Sequence, residues 1–282
     1  MAETVVGRVE GLWRYPVKSM LGEELERVEV GDRGLVGDRG YALWDHTTAR
    51  VASAKNPLVW RALLDYRAHY IEPPLADTPL PPVAIQPVDG KDGPGLAAPL
   101  LSSDPQLNER LSQLLGRRVS LLDVPPEGAS LDQYWPAVQE RAYQDVVNEL
   151  VLPSGGFFDS CPIHAVSTAT LERLRQLKPQ LDFAVERFRP NLLISTPAGA
   201  EGFLEEGWIG ATLRLGESLE LRVNDGCPRC VITTLAQGGL PQEIEILRAT
   251  ARHNKVVAGI RLTVERPGPL ALGDPVTLLQ PG

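Results

Sequence analysis

The residues of this chain whose types and spacing suit chemistry collect in three short segments. The first is Asp225-Gly226-Cys227-Pro228-Arg229-Cys230. A Cys-x-x-Cys pair is half of a zinc site, and Cys161-x-x-His164 has the types and spacing to supply the other half. Cys-Pro-x-Cys is also a spacing used by redox dithiols, but those open a helix whose N-terminus lowers the thiol pKa. The β-branched run Val231-Ile232-Thr233-Thr234 predicts a strand there instead. A third reading makes both cysteines small buried residues. Arg229 counts against it, because a guanidinium beside Cys230 favours the thiolate.

The second segment is Arg187-Phe188-Arg189-Pro190-Asn191. Two arginines around an aromatic, directly before an apolar strand, are costly to bury without an anionic partner. Arg189 is suited to a bidentate phosphate contact; a solvated strand end is the ordinary alternative. The third is Tyr15-Pro16-Val17-Lys18-Ser19, which offers an ammonium and a hydroxyl on a turn after the first strand. Other chemistries lack their motifs: no dinucleotide-binding or phosphate-binding glycine loop, no nucleophile elbow and no His-Glu-x-x-His occurs. The four histidines are scattered, and each reads as a surface or satisfied core residue rather than a catalyst.

Elements of ordinary composition must position these segments. With 282 residues, 43% hydrophobic and 23% charged, the chain has the make-up of a globular protein of two structural units sharing an extended core. No run approaches the roughly 20 apolar residues needed to span a bilayer. The segment Met1 to Val6 has neither the basic nor the apolar region of a signal peptide, so the expected compartment is the cytoplasm. Three cysteines cannot form a disulfide framework in a chain this long. A net charge of −8 argues against nucleic acid as the main partner, while leaving room for a local anion pocket.

Glycine and proline are abundant, and most segments read as short strands between turns. Gly-Asp-Arg-Gly occurs twice between Gly31 and Gly40, as two successive turns. The proline-dense stretch from Pro73 to Pro105 is expected to hold neither a central strand nor a helix. A helix follows, with Asp104 as N-cap, Pro105 at its first position and Gly116 as its stop. Val119 to Val124 then reads as a strand, and Pro125-Pro126-Glu127-Gly128 divides the chain into units 1–125 and 126–282. A second helix spans Ser167 to Leu177. Strands are expected at 192–195, 212–215, 219–223, 231–234, 260–264 and 276–279, with a hairpin turn at Gly216-Glu217-Ser218. The fold class is α+β and β-rich, built around closed or nearly closed barrels.

In this order, Tyr15-Pro16-Val17-Lys18-Ser19, Gly37-Asp38-Arg39, Phe188-Arg189-Pro190-Asn191, Cys227-Pro228-Arg229-Cys230-Val231-Ile232-Thr233-Thr234 and Gly273-Asp274-Pro275-Val276 resemble the MOSC-domain proteins. The likeness covers nearly the whole chain and extends to the amidoxime-reducing components, which carry an N-terminal MOSC β-barrel domain before the MOSC domain. It implies a molybdenum cofactor (Mo-molybdopterin) between the two domains. Cys230 matches the metal-ligating cysteine, and Cys227 a neighbour that does not ligate. Lys18, Ser19, Arg39, Arg189 and Arg229 match positions that hold the phosphate and pterin. Ser160 and Cys161 fall where the family has small hydroxyl residues, from which Cys161 departs, and Ser53-Ala54-Lys55 lies near a cofactor-proximal segment. Asp159 is the candidate proton carrier.

The activity implied is reduction of small N-hydroxylated substrates, amidoximes or hydroxylamines, by oxygen-atom abstraction. A soft thiolate is an appropriate ligand for a thiophilic metal already held by a dithiolene. With no ferredoxin cysteine set, electrons are expected from a separate flavin or iron–sulfur partner. The competing functions are a carrier of the cofactor or of sulfur without turnover, and a zinc protein with Cys161, His164, Cys227 and Cys230 as ligands.

Overall fold

The computed structural model describes residues 2–88, 98–138 and 145–280. Its centre is a closed seven-stranded barrel. Around the barrel the order is Leu192–Ser195, Ile163–Ser167, Val257–Arg266, Leu219–Pro228, Thr212–Leu215, Pro275–Gln280 and Ala2–Arg14. The last of these pairs back onto Leu192–Ser195 and closes the ring. One pair is parallel, Ile163–Ser167 with Leu192–Ser195, and helix Thr168–Leu177 lies in its crossover. Ser167 caps that helix by accepting from Thr170 N at 3.0 Å. Alternating residues such as Val9, Leu213, Leu221, Ile260 and Leu262 point inward and fill the barrel.

The first strand, Ala2–Arg14, is therefore a barrel stave, paired with strands more than 170 residues away in sequence. Beyond it the chain builds a second core around Val17, Met20, Leu43, Leu63, Ile85 and Leu111. Two three-stranded sheets enclose that core, Val119–Leu122 with Ala42–Asp45 and Arg50–Val51, and Tyr66–Tyr70 with Val83–Pro87 and Leu100–Leu101. The hairpin Ser130–Trp135/Val146–Val151 stands beside them. A small cluster of Leu21, Ala54, Leu64, Val231 and Leu235 joins the two halves, with Tyr134 and Ile232 packed against it.

Three expectations need correction. The proline-dense stretch does contain a central strand, Val83–Pro87. Its prolines sit at the ends: Pro82 uses its carbonyl to accept from Ile71 N at 3.1 Å, so the missing N–H falls outside the ladder. Residues 89–97 of that stretch lie outside the described residues. Likewise, Val231–Thr234 is a single 3-10 turn rather than a strand. The threonine hydroxyls override β propensity, Thr233 Oγ1 donating to Cys230 O at 3.0 Å and Thr234 Oγ1 to Val231 O at 2.7 Å. The helix before Gly116 begins at Leu107, slightly later than expected, because Asp104 accepts from Gln106 N and Leu107 N.

Candidate functional site

All nine candidate residues line one cavity of about 300 Å³ where the barrel meets the N-terminal core: Lys18, Ser19, Arg39, Asp159, Ser160, Cys161, Arg189, Arg229 and Cys230. Three of them, Ser19, Arg39 and Arg189, have left-handed backbone with φ of 67°, 47° and 50°. For residues with a Cβ this costs roughly 1–2 kcal/mol each, so the surrounding contacts must over-determine these turns.

Those contacts are visible. Asp38, buried, accepts from Tyr15 N at 2.8 Å and Asn191 Nδ2 at 3.0 Å, and pairs with Arg39. Arg39 N donates to Tyr15 O at 2.8 Å. Gly37, with φ of 83°, starts this turn; a Cβ there would lie 2.7 Å from Tyr70 and Pro74. Arg189 is the left-handed cap of the short helix Val185–Phe188. The guanidinium groups of Arg39 and Arg189 each stand 4.4 Å from the centroid of the Tyr15 ring. Desolvation raises the Tyr15 pKa to about 12, so the ring stays a neutral phenol.

Opposite these arginines sits a Lys–Asp–Lys cluster. Lys18 Nζ donates to Phe157 O at 2.6 Å and to Asp159 Oδ1 at 2.5 Å, and Lys55 Nζ meets Asp159 Oδ2 at 3.0 Å. Desolvation works to raise the Asp159 pKa, but the two ammonium groups outweigh it and hold the carboxyl well below its usual range. Ionised in this way, Asp159 has no proton to give at neutral pH, and it serves here to anchor two lysines. Desolvation lowers the Lys18 pKa despite Asp159. For Lys55 desolvation is outweighed by Asp159 and the Cys230 sulfur, and its pKa is raised.

Cys230 leads into the 3-10 turn at the cavity wall, and a single turn carries little of a helix dipole. Arg187 braces this turn. Its guanidinium donates to Asp182 O at 2.9 Å, Thr233 O at 3.5 Å and Pro241 O at 3.0 Å, so main-chain carbonyl oxygens supply the hydrogen-bond acceptors of this buried arginine. Arg189 Nη2 donates to Met20 O at 2.8 Å, while its Nη1 is buried without a hydrogen-bond partner among the described residues. Desolvation brings the Arg189 pKa to about 10, still fully charged at neutral pH. Cys161 Sγ donates to Leu262 O at 2.7 Å, and desolvation pushes its pKa up, so it is a thiol. Ser160 is exposed and accepts from Arg261 Nη1 at 3.1 Å.

Sequence reasoning missed Arg261, singled out His164 only as a zinc ligand, and gave Lys55 only a loose place. Arg261 interrupts the apolar run Ile260–Leu262 and pairs across the strands with Asp225, a signal present in the sequence once the register is known. Gln133, Trp135 and Leu150 also line the cavity, from the hairpin. Among the described residues no three His, Cys, Asp or Glu side chains gather as a zinc site requires.

This barrel and its cation-lined cavity define a class. The chain matches the MOSC N-terminal beta barrel domain over residues 6–72 and the MOSC domain over residues 154–277, and it is a MOSC-domain protein of this two-domain kind. It is similar to the mitochondrial amidoxime reducing component 2 of Rattus norvegicus, 26% identical over 96% of this chain and 83% of the relative. The Bos taurus protein of the same name is 24% identical over the same shares. The YUAD protein from Bacillus subtilis superposes with a TM-score of 0.48 at 13% identity, covering 98% of this chain and 97% of that one. No helix among the described residues is long and apolar enough to cross a membrane.

Proposed function

We propose that this chain binds a pyranopterin molybdenum cofactor in the cavity and with it reduces N-hydroxylated compounds, amidoximes or hydroxylamines, to the amidine or amine. The observation that carries the reading is Arg189 Nη1: a buried charged donor on a side chain that lines the cavity, without a hydrogen-bond partner among the described residues. A phosphate oxygen supplies what it lacks. The residues fit the group. Cys230 would give a soft thiolate to the metal, and Lys18, Ser19, Arg39, Arg189 and Arg229 would hold the pterin and its phosphate, with Ser160 and Cys161 at the edge.

When bound, the cofactor supplies the two-electron reduction that takes the nitrogen-bound oxygen of the substrate to water. This consumes two protons. Lys55 Nζ holds one at the cavity wall, kept there by Asp159, so proton delivery falls to Lys55 rather than to Asp159 itself. Lys18, tied to Phe157 O, fixes Asp159 from the other side. Electrons come from a separate flavin or iron–sulfur donor.

The test is metal analysis of protein purified from a host that makes the cofactor, followed by benzamidoxime reduction with an artificial reductant. Molybdenum, pterin and turnover together support the reading. Stoichiometric zinc without molybdenum sinks it, and molybdenum without turnover favours a carrier.

A further inference from the structure

Arg229 is gripped by side chains to which the activity above gives no task. Its Nη1 donates to Cys227 Sγ at 2.9 Å and lies 3.1 Å from His164 Nε2. Its Nη2 donates to Phe188 O at 2.5 Å, and the Phe188 ring centroid is 5.4 Å from the guanidinium carbon. A guanidinium has only donors, so His164 Nε2 is the acceptor and its ring proton sits on Nδ1. Desolvation, together with Arg229, holds the His164 pKa well below its usual value, which keeps the imidazole in this form at neutral pH.

The backbone is shaped around this contact. Gly259 has φ of 87°, and a Cβ there would stand 2.6 Å from His164 Nε2 and 2.3 Å from Ala165 O. Lys255 and Val256 follow one another with φ of 50° and 68°, a rare state for a β-branched residue, and Val256 O accepts from Arg229 N at 2.8 Å. Asn191 fixes the other end: it accepts from His164 N at 3.2 Å and donates from its own N to His164 O at 2.8 Å.

We infer that His164 is a positioning residue which, together with Cys227, aims the Arg229 guanidinium into the cavity. The inference rests on the cofactor reading for what Arg229 meets there, but the grip itself belongs to the protein alone. Cys227 is then an anchor, not a bystander of Cys230. His164→Gln keeps an acceptor in the side-chain carbonyl, whereas His164→Leu removes it.

Two measurements test this. The first follows molybdenum and pterin released from wild type, His164→Gln and His164→Leu during dialysis, with thermal unfolding of each. Wild type and the Gln variant should release at similar rates. The Leu variant should release about tenfold faster or more, the scale of one charge-assisted hydrogen bond, while still unfolding in one cooperative transition well above the dialysis temperature. Equal retention in all three, or equal loss in both variants, overturns the inference. The second needs no cofactor: the 15N spectrum of His164 in the empty protein should show Nε2 unprotonated and shift on Arg229→Lys. A protonated Nε2, or no response to that substitution, overturns it. Protein that passes the second test yet never acquires molybdenum refutes the cofactor reading and leaves the grip standing.

Discussion

The side-chain amide of Asn191 donates to the Asp38 carboxylate at 3.0 Å, joining segments 153 residues apart in the chain. Asp38 also meets Tyr15 N and Arg39, and Asn191 also meets His164 and Trp13 O. Every cation-bearing turn on that side of the cavity is thus referenced to one buried pair. Asn191→Ala should destabilise the protein by about 1–3 kcal/mol, the cost of leaving a buried carboxylate short of a donor. Urea unfolding measures it; a change within error would mean that Arg39 and Tyr15 N suffice for Asp38.

Asp159 predicts a pH dependence with a definite sign. Its folded pKa lies below the ordinary carboxylate value of 3.8, so the unfolded chain binds the proton first on acidification. The stability it contributes is complete above the unfolded pKa and is lost as pH falls through the folded one. The stability difference between wild type and Asp159→Asn should be flat from neutral pH to about pH 4 and shrink below it. Denaturant titrations across that range decide; a difference that grows on acidification contradicts the Lys–Asp–Lys arrangement.

The two sulfurs should separate by substitution. Cys230→Ser places a hard hydroxyl where a soft donor is wanted, and molybdenum content should fall to background, beyond the roughly 10–100-fold that changes around a ligand cost. Cys227→Ser retains an acceptor for Arg229 and should keep most of the metal. Metal-to-protein ratios for the two variants check this, and full activity in Cys230→Ser would rule out its assignment.

Trp135 and Gln133 share one face of the hairpin and line the cavity beside Leu150. If substrate rests on this wall, Trp135→Ala should raise KM for a ring-bearing amidoxime roughly tenfold, about 1.4 kcal/mol of apolar contact, and leave hydroxylamine itself nearly unaffected. Equal effects on both substrates would remove the hairpin from substrate binding.

Much of the site was legible because its motifs are short and local. Phe188-Arg189-Pro190-Asn191 and Cys227-Pro228-Arg229-Cys230 each carry several contributors on one turn. What escaped were single residues delivered by other elements. His164 and Arg261 are register partners on adjacent strands; Arg261 reads as an ordinary strand residue, and His164 as a zinc ligand or a satisfied core residue, until that pairing is known. The turn after Cys230 was misread for a related reason: β-branched residues suggest extension, and only the local hydroxyl-to-carbonyl bonds reverse that preference.

By itself the sequence determined the strand-rich class, the helix that Ser167 caps, and the identity of the thiol and cations, since periodicity, capping and residue chemistry are properties of neighbours along the chain. Tertiary structure decided that Ala2–Arg14 closes a barrel with strands from the other end. It also decided that Lys18 and Lys55 meet the Asp159 carboxylate, and that Arg189 keeps a buried donor without a hydrogen-bond partner among the described residues. Those facts depend on distances between segments more than a hundred residues apart, and no local propensity encodes them.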